Sequence, residues 1–469
     1  MTAHIKHETA SGMDRRGFVK GATGLTFAFT LGGGLLGRAA QVFAADSSTL
    51  NAWITIGADG TVTLLCPSAE MGQGVMTALP LVLAEELDAD WSKVNAEFAP
   101  PIPPLYGNPH PFFNGAQVTA GSTSVSGYFH SLRVAGAQAR RVLIDNVAEQ
   151  WKVPAAELTT ENGFVIHAKS KRKISYGDVA KFATVPKDAP KITDADLKRP
   201  SQFKLIGRAD IGRVDVPSKV NGSAKYGIDA DVPGMVYASV LESPAEGAKA
   251  SVANGDDVGK MKGIAAVIPL PFGVAVIGNS VEATQAGRDA LKVTWDMAES
   301  PAKGFDSDKA KEEYAKLGQD RKAPARTAYK VGEVWDVLPG TKVVEALYWS
   351  EFCYHAQMEP MNAVAAVAED GKSAEIWTGT QFGALIAFIV SGILKTTPDK
   401  IVVHQQYLGG GFGRRIAPDI AIQATILSSI VKKPVKLLLT RADDLAAAHP
   451  RPMSYHVLKA GLNLSLIHI

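Results

Sequence analysis

Residues 408–415 read LGGGFGRR, placed between a β-like run, KIVVHQQY, and a helical one, APDIAIQATILSSIVKK. Gly409, Gly410 and Gly411 allow positive φ and leave no Cβ between the backbone amides and a ligand. A following helix adds N–H groups and a partial positive charge, and Arg414 and Arg415 add fork-shaped donors suited to phosphate. A second glycine corner, AEMGQGVMT at 69–77, also precedes a helix. There Gly72 and Gly74 flank Gln73, which carries donors and an acceptor, and Thr77 is placed to cap the helix. The chemistry on offer is capture of a phosphate-bearing group, and the alternative at each corner is a plain turn.

A dinucleotide fingerprint of the form GxGxxG would need glycine at 414, where Arg414 stands, and an acid roughly 20 residues further on. The stretch SIVKKPVK at 429–436 has no acid. A P-loop fails for want of GK followed by Ser or Thr. Phosphate of some other kind, a structural turn and a nicotinamide site therefore remain open, in that order. In HAQMEP (355–360), Glu359 is either a buried anchor or a pocket residue, and His355 reads as a core histidine. No nucleophile–base set and no Cys/His cluster is visible. The two cysteines, Cys66 and Cys353, are too few for an iron–sulfur or four-cysteine zinc site, so any such centre belongs to another subunit.

The elements that must position these bends are mixed. At 469 residues the chain has room for two to four domains, with 46% hydrophobic and 20% charged residues and a formal charge of +2. Residues 1–45 hold five basic and two acidic groups, and the remainder is close to −1, so no basic field points to nucleic acid. Asp59-Gly60 and Asn162-Gly163 signal hairpins. Helices are expected over the run after EMGQG and from about Phe129 to Trp151. KDAPKITDADLKRP (187–200) is charged and Pro-punctuated and reads as a linker, and 302–325 as a second charged separator. FGALIAFIVSGIL (382–394) is apolar all round, which predicts a buried helix too short to span a bilayer.

MDRRGFVK at 13–20, a glycine-rich weakly apolar stretch and small residues at Ala44 and Ala45 match a twin-arginine export signal. That route carries folded proteins and leads to a periplasmic expectation. At the other end, LSLIHI (464–469) resembles the translation of a sequencing-library adapter, with native sequence expected to end near Asn463.

Together these residues resemble the molybdenum hydroxylase, xanthine oxidase-like family, and within it the beta subunits of the isoquinoline 1-oxidoreductase type and exported aldehyde dehydrogenases. The family's GGGFG loop is matched by Gly409 to Gly413, its EP site by Glu359-Pro360, and its E-x-GQG-x-x-T motif by Glu70 to Thr77. Its R-x-D-D segment and following R-P pair are similar to Arg441, Asp443, Asp444, Arg451 and Pro452, and KVNGSAKYGIDADVPGM resembles the start of its hammerhead domain.

The resemblance implies a multi-domain α+β, mixed α/β chain. Its expected divisions are a signal at 1–45, an N-terminal α+β domain at 48–205, a hammerhead-like domain at 206–305, a partial molybdopterin-binding domain at 330–463, and a non-native tail at 464–469. It implies a molybdopterin cofactor, in the cytosine dinucleotide form, contacted by Gly410, Gly411, Phe412, Gly413 and Arg414, with Gly72, Gln73 and Gly74 as weaker contacts. The pterin's dithiolene sulfurs would carry the molybdenum, so the chain needs no metal ligands of its own. Implied partners are a small [2Fe–2S] subunit, a c-type cytochrome and an aldehyde or N-heterocycle substrate. Two departures stand out. Ile416 occupies the place where purine-oxidising relatives carry a carboxylate, and the family's G-x-GE catalytic glutamate is absent from this sequence. The rivals are a secreted, non-catalytic β-rich binding protein and a nicotinamide-dependent dehydrogenase.

Overall fold

The computed structural model describes residues 24–27, 53–446 and 449–462. The twin arginines and the 464–469 tail lie outside them. The chain divides into two compact units, residues 1–235 with 362–435, and residues 236–361 with 436–469.

The first unit opens with a four-stranded sheet of β1 (Gly24–Phe27), β2 (Ile54–Gly57), β3 (Val62–Cys66) and β4 (Val94–Phe98), in that order. β1 pairs antiparallel with β2, so part of the segment read as an export signal is a strand here. β2 and β3 form the expected hairpin. Gly60 takes φ 88° and Asp59 Oδ1 accepts the Thr61 amide at 2.9 Å. α1 (Val75–Leu87) packs on β3, β4 and the long α2 (Ser124–Trp151), which starts five residues earlier than the pattern predicts. The helices cross closely because a Cβ on Gly136 would lie 2.5 Å from the Leu83 carbonyl oxygen. β5 (Leu158–Glu161), β6 (Phe164–His167) and β7 (Arg172–Ser175) complete this part. Their Asn162-Gly163 turn has both residues at positive φ, as a two-residue hairpin requires.

The 187–200 segment is not a free linker. Glu85, Glu86 and Asp88, all buried at the end of α1, bind it from beneath. Just beyond it, Glu85 accepts the amides of Lys204 (2.9 Å), Leu205 (2.6 Å) and Ile206 (3.0 Å). Lys198 Nζ reaches Glu85 Oε1 at 2.8 Å and Asp88 Oδ1 at 2.7 Å, and Arg133 pairs with Glu86 at 2.7 Å. Carboxylates buried this deeply require such partners, and the charged segment supplies them.

The second unit holds the antiparallel set β8 (Val236–Glu242), β11 (Gly273–Gly278) and β10 (Ile264–Leu270), with β11 central, and the pair β9 (Lys249–Val252) and β12 (Val293–Asp296). α3 (Val281–Ala290), capped by Ser280, lies on β8 and β11. Within 302–325 the chain forms a capped helix, α4 (Ser307–Gln319), whose N-cap Asp306 accepts two amides. The separator reading is replaced by an amphipathic element. β13 (Lys342–Ser350) pairs over nine residues with Ser454–Leu462.

Back in the first unit, β14 (Asn362–Val367) pairs antiparallel with β15 (Ala374–Thr378), and β15 parallel with β16 (Ile401–Gln405). α5 (Gly383–Ile393) lies over β16, and α6 (Asp419–Val431) over β14. α5 departs from expectation. Ile386, Ala387 and Val390 are buried, but Phe388 is 66% exposed and Ile393 is exposed too. An all-apolar helix at a sheet edge buries only the face that meets the strands.

The expected boundaries also move. The segment from Gly207 to Met235 belongs with the first unit rather than with a domain starting at 206. It is held there by Arg213 and Lys219 on Glu70, and by a parallel bridge between Tyr226 and Tyr407. The 330–463 stretch is likewise shared between both units.

Candidate functional site

Both glycine corners lie in the first unit and touch. The Leu408 amide donates to the Glu70 carbonyl at 3.1 Å, and a Cβ on Gly411 would lie 2.9 Å from Met71 Sδ.

The 409–413 bend uses positive φ at Gly410 (92°), Phe412 (51°) and Gly413 (98°), not at Gly409 or Gly411. Gly411 is constrained by space instead, because its Cβ would stand 2.6 Å from Gln381 Oε1. Gln381, which sequence reading missed, is the clasp. Its Oε1 accepts the Gly413 amide at 3.1 Å and its Nε2 donates to the Thr119 carbonyl at 2.8 Å. Its own amide donates to Arg415 O and its carbonyl accepts from Thr119 N, both at 2.9 Å. The only signal in the sequence was a glutamine after Gly379-Thr380, between an apolar strand and a helix. Arg415 is buried and closes the bend from inside, Nε donating to Gly410 O at 2.9 Å and Nη1 to Gly379 O at 3.3 Å. Among the described residues nothing accepts from the amides of Gly410 and Gly411. Phe412, in a left-handed conformation uncommon for a bulky residue, is 57% exposed.

Arg414 departs from expectation. Its guanidinium is buried, with both terminal nitrogens on Asp419 at 2.9 and 2.7 Å. A phosphate contact through that fork would require Asp419 to leave. The buried fork instead ties the bend to the start of α6.

The EMGQG corner is an anion site that the chain fills itself. Glu70, fully buried, accepts the amides of Gly72 (2.8 Å), Gly74 (3.1 Å) and Met76 (3.1 Å) at the start of α1. Arg213 Nη2 stands 3.2 Å from Glu70 Oε1, and Lys219 Nζ 3.7 Å. Gln73 folds back, accepting from Met71 N and donating to Ala69 O, both at 2.8 Å. Thr77 does not cap α1; Gly74 is the N-cap, and Thr77 Oγ1 accepts from Val214 N at 3.0 Å. Gly72 and Gly74 keep positive φ (110° and 88°), but their amides serve Glu70. Asp215 completes the network. Burial pushes its carboxyl up, yet hydrogen bonds from Arg213 and Lys219 outweigh this and hold it at about 2. The Tyr407 hydroxyl is raised, first by burial and then by the charges of Asp215 and Glu70.

A third bend sits beside them. Ala69 N donates to Thr119 Oγ1 at 2.8 Å, bringing 119–124 against the other two. There Ser122 has φ 57°, and α2 begins with no side-chain cap and no acid in its first turn.

Glu359, buried, and the Arg441–Asp444 segment lie in the second unit. Buried Asp444 accepts from Tyr354 at 2.7 Å and Gln357 at 2.6 Å, while Arg441 Nη2 donates to Met358 O at 2.7 Å. Arg451 pairs through its backbone with Cys353.

The arrangement fits a ligand held by backbone. Two unbonded amides, a position with no room for a side chain and an exposed aromatic sit on one bend, clamped from behind by buried Arg415 and Gln381. Residues 6–204 and 319–465 each match the molybdopterin cofactor-binding domain. The chain is 37% identical to the isoquinoline 1-oxidoreductase subunit beta of Brevundimonas diminuta, over 92% of this chain and 60% of that one. It is 31% identical to a membrane-bound aldehyde dehydrogenase of Gluconacetobacter polyoxogenes, over 94% and 57% respectively. It thus spans about 60% of the length of these curated relatives. Among solved structures, quinoline 2-oxidoreductase from Pseudomonas putida 86 superposes with a TM-score of 0.44 at 16% identity, over 54% of this chain and 37% of that one. With two matching domains and relatives aligned over nearly its whole length, the chain belongs to the molybdopterin-binding proteins of the xanthine oxidase-like family.

Proposed function

We propose that this chain forms part of the large subunit of a periplasmic oxidoreductase that hydroxylates aldehydes or N-heteroaromatic compounds with oxygen taken from water. The observation that carries the reading is the meeting of the 409–413 and 69–74 bends at Gly411 and Met71, with Gln381 clasping the first bend and the amides of Gly410 and Gly411 unbonded among the described residues. The family relatives supply the substrate classes, and the twin-arginine motif supplies the location.

When bound, the molybdenum pterin supplies the oxygen-transfer and two-electron chemistry. The chain's own residues hold and orient it. Gly410 and Gly411 offer amides, Gly411 leaves room for Gln381 and Met71 to pack behind the bend, and Phe412 adds an apolar wall. The cofactor's phosphate is assigned to the uncapped start of α2, at Ser122, Thr123 and Ser124, because Glu70 already fills the start of α1. A cytosine dinucleotide tail, a [2Fe–2S] partner subunit and onward transfer to a c-type cytochrome complete the proposal.

The test is metal analysis and pterin fluorescence of the full-length protein co-produced with its partner. Molybdenum near one equivalent with a pterin signal supports the reading; nicotinamide binding, or neither ligand, overturns it.

A further inference from the structure

β3 ends at Cys66, and Pro67-Ser68-Ala69 carry the chain to Glu70. Behind this segment lies a cavity of about 20 Å³, whose lining includes Cys66, Ser68, Gln117, Thr119, Thr380 and Gln405. Two buried polar atoms on that lining have no hydrogen-bond partner, Ser68 Oγ and Gln117 Oε1. The residues are 2% and 7% exposed.

The orientation of the Gln117 amide is fixed by its surroundings. Nε2 donates to Pro100 O at 3.1 Å and to Pro67 O at 3.5 Å. Flipping the amide would set its oxygen against two carbonyl oxygens, so the atom in need is an acceptor that lacks a donor. The Cys66 thiol cannot serve, because it donates to Ser68 O at 3.4 Å. Burial pushes that thiol up to about 12, which keeps it protonated and in that bond. Ser68 Oγ can both donate and accept, yet it makes no bond to Gln117.

We propose that this cavity is a binding site for one internal water, which donates to Gln117 Oε1 and hydrogen-bonds Ser68 Oγ. One water needs roughly 10–15 Å³ of such space and two or more polar partners, and both conditions are met here. An apolar filling would leave two buried polar groups unsatisfied, which folded proteins avoid. The water gives the strand exit before Glu70 a second tie to the segment before Thr119, beside the direct bond from Ala69 N to Thr119 Oγ1. The bends meeting at Gly411 and Met71 are thereby braced from behind by hydration. The inference goes beyond the cofactor assignment and stands without it.

A crystal structure of the full chain tests the site. A single solvent peak within hydrogen-bond distance of both Ser68 Oγ and Gln117 Oε1 is expected. Xenon pressurisation of the same crystals should leave the cavity free of xenon, since only dry apolar cavities take it. In Ser68→Ala, deuterium uptake of peptides spanning 68–72 and 117–121 should rise several-fold while the β5–β7 hairpins are unchanged. A dry or xenon-filled cavity, a direct Ser68–Gln117 bond, cofactor atoms in the cavity, or unchanged uptake in the variant would each overturn the proposal.

Discussion

Gln381 Oε1 accepts the Gly413 amide at 3.1 Å and stands 2.6 Å from where a Gly411 side chain would begin. One glutamine therefore fixes the shape of the bend and forbids a side chain at its centre. Gly411→Val must push Gln381 and Met71 aside. The expected result is loss of bound pterin, measured by fluorescence after release, with destabilisation of about 1–3 kcal/mol from overpacking. Normal pterin content in the folded variant would remove the bend from the cofactor site.

Glu70 is an internal anion at the start of α1. Glu70→Gln keeps an acceptor but removes one of the two carboxylates that Arg213 and Lys219 face, leaving Asp215 alone, with an expected loss of about 3 kcal/mol in urea unfolding. A loss below about 0.5 kcal/mol would show that the charge has no structural part.

Asp215 gives a pH dependence. Its carboxyl, held at about 2 against an ordinary 3.8, binds protons less readily when folded. The stability it contributes is present above its unfolded value and is lost as pH falls from 3.8 toward 2. The shift corresponds to about 2 kcal/mol. Urea midpoints measured across that window should fall with acid in the natural chain, and less so in Asp215→Asn.

Lys198 clamps the charged segment onto α1 through Glu85 and Asp88. Lys198→Met should cost about 3–5 kcal/mol, because two buried carboxylates lose a partner. Limited proteolysis should then cut between 187 and 205, where the natural chain resists.

Phe388 lies on the open face of α5 and Ile386 on its packed face. Phe388→Ser should change unfolding free energy by no more than about 0.5 kcal/mol, whereas Ile386→Ala should cost about 2–5 kcal/mol. Equal costs would mean that the outer face is covered in solution.

Short-range features were legible from residue order. The Asp59-Gly60 and Asn162-Gly163 turns need only positive φ at adjacent positions, and α1, α2 and the glycine bends declare themselves within a dozen residues. Partnership was not legible. KDAPKITDADLKRP looks like a linker until Glu85, Glu86 and Asp88 at the end of α1, some hundred residues earlier, are seen to bind its Lys198. Arg414 looked like a phosphate ligand because its type and place suit one, but Asp419 had already claimed its fork.

By itself the sequence determined where the backbone must be bare and which family those bends belong to, since both properties are carried by residue type and local spacing. Tertiary structure decided which distant groups gather on those bends. A helix start attracts whichever negative group lies closest, so Glu70 reaches the first amides of α1 locally, but only the folded chain brings Arg213 and Lys219, about 140 residues further on, against that carboxylate.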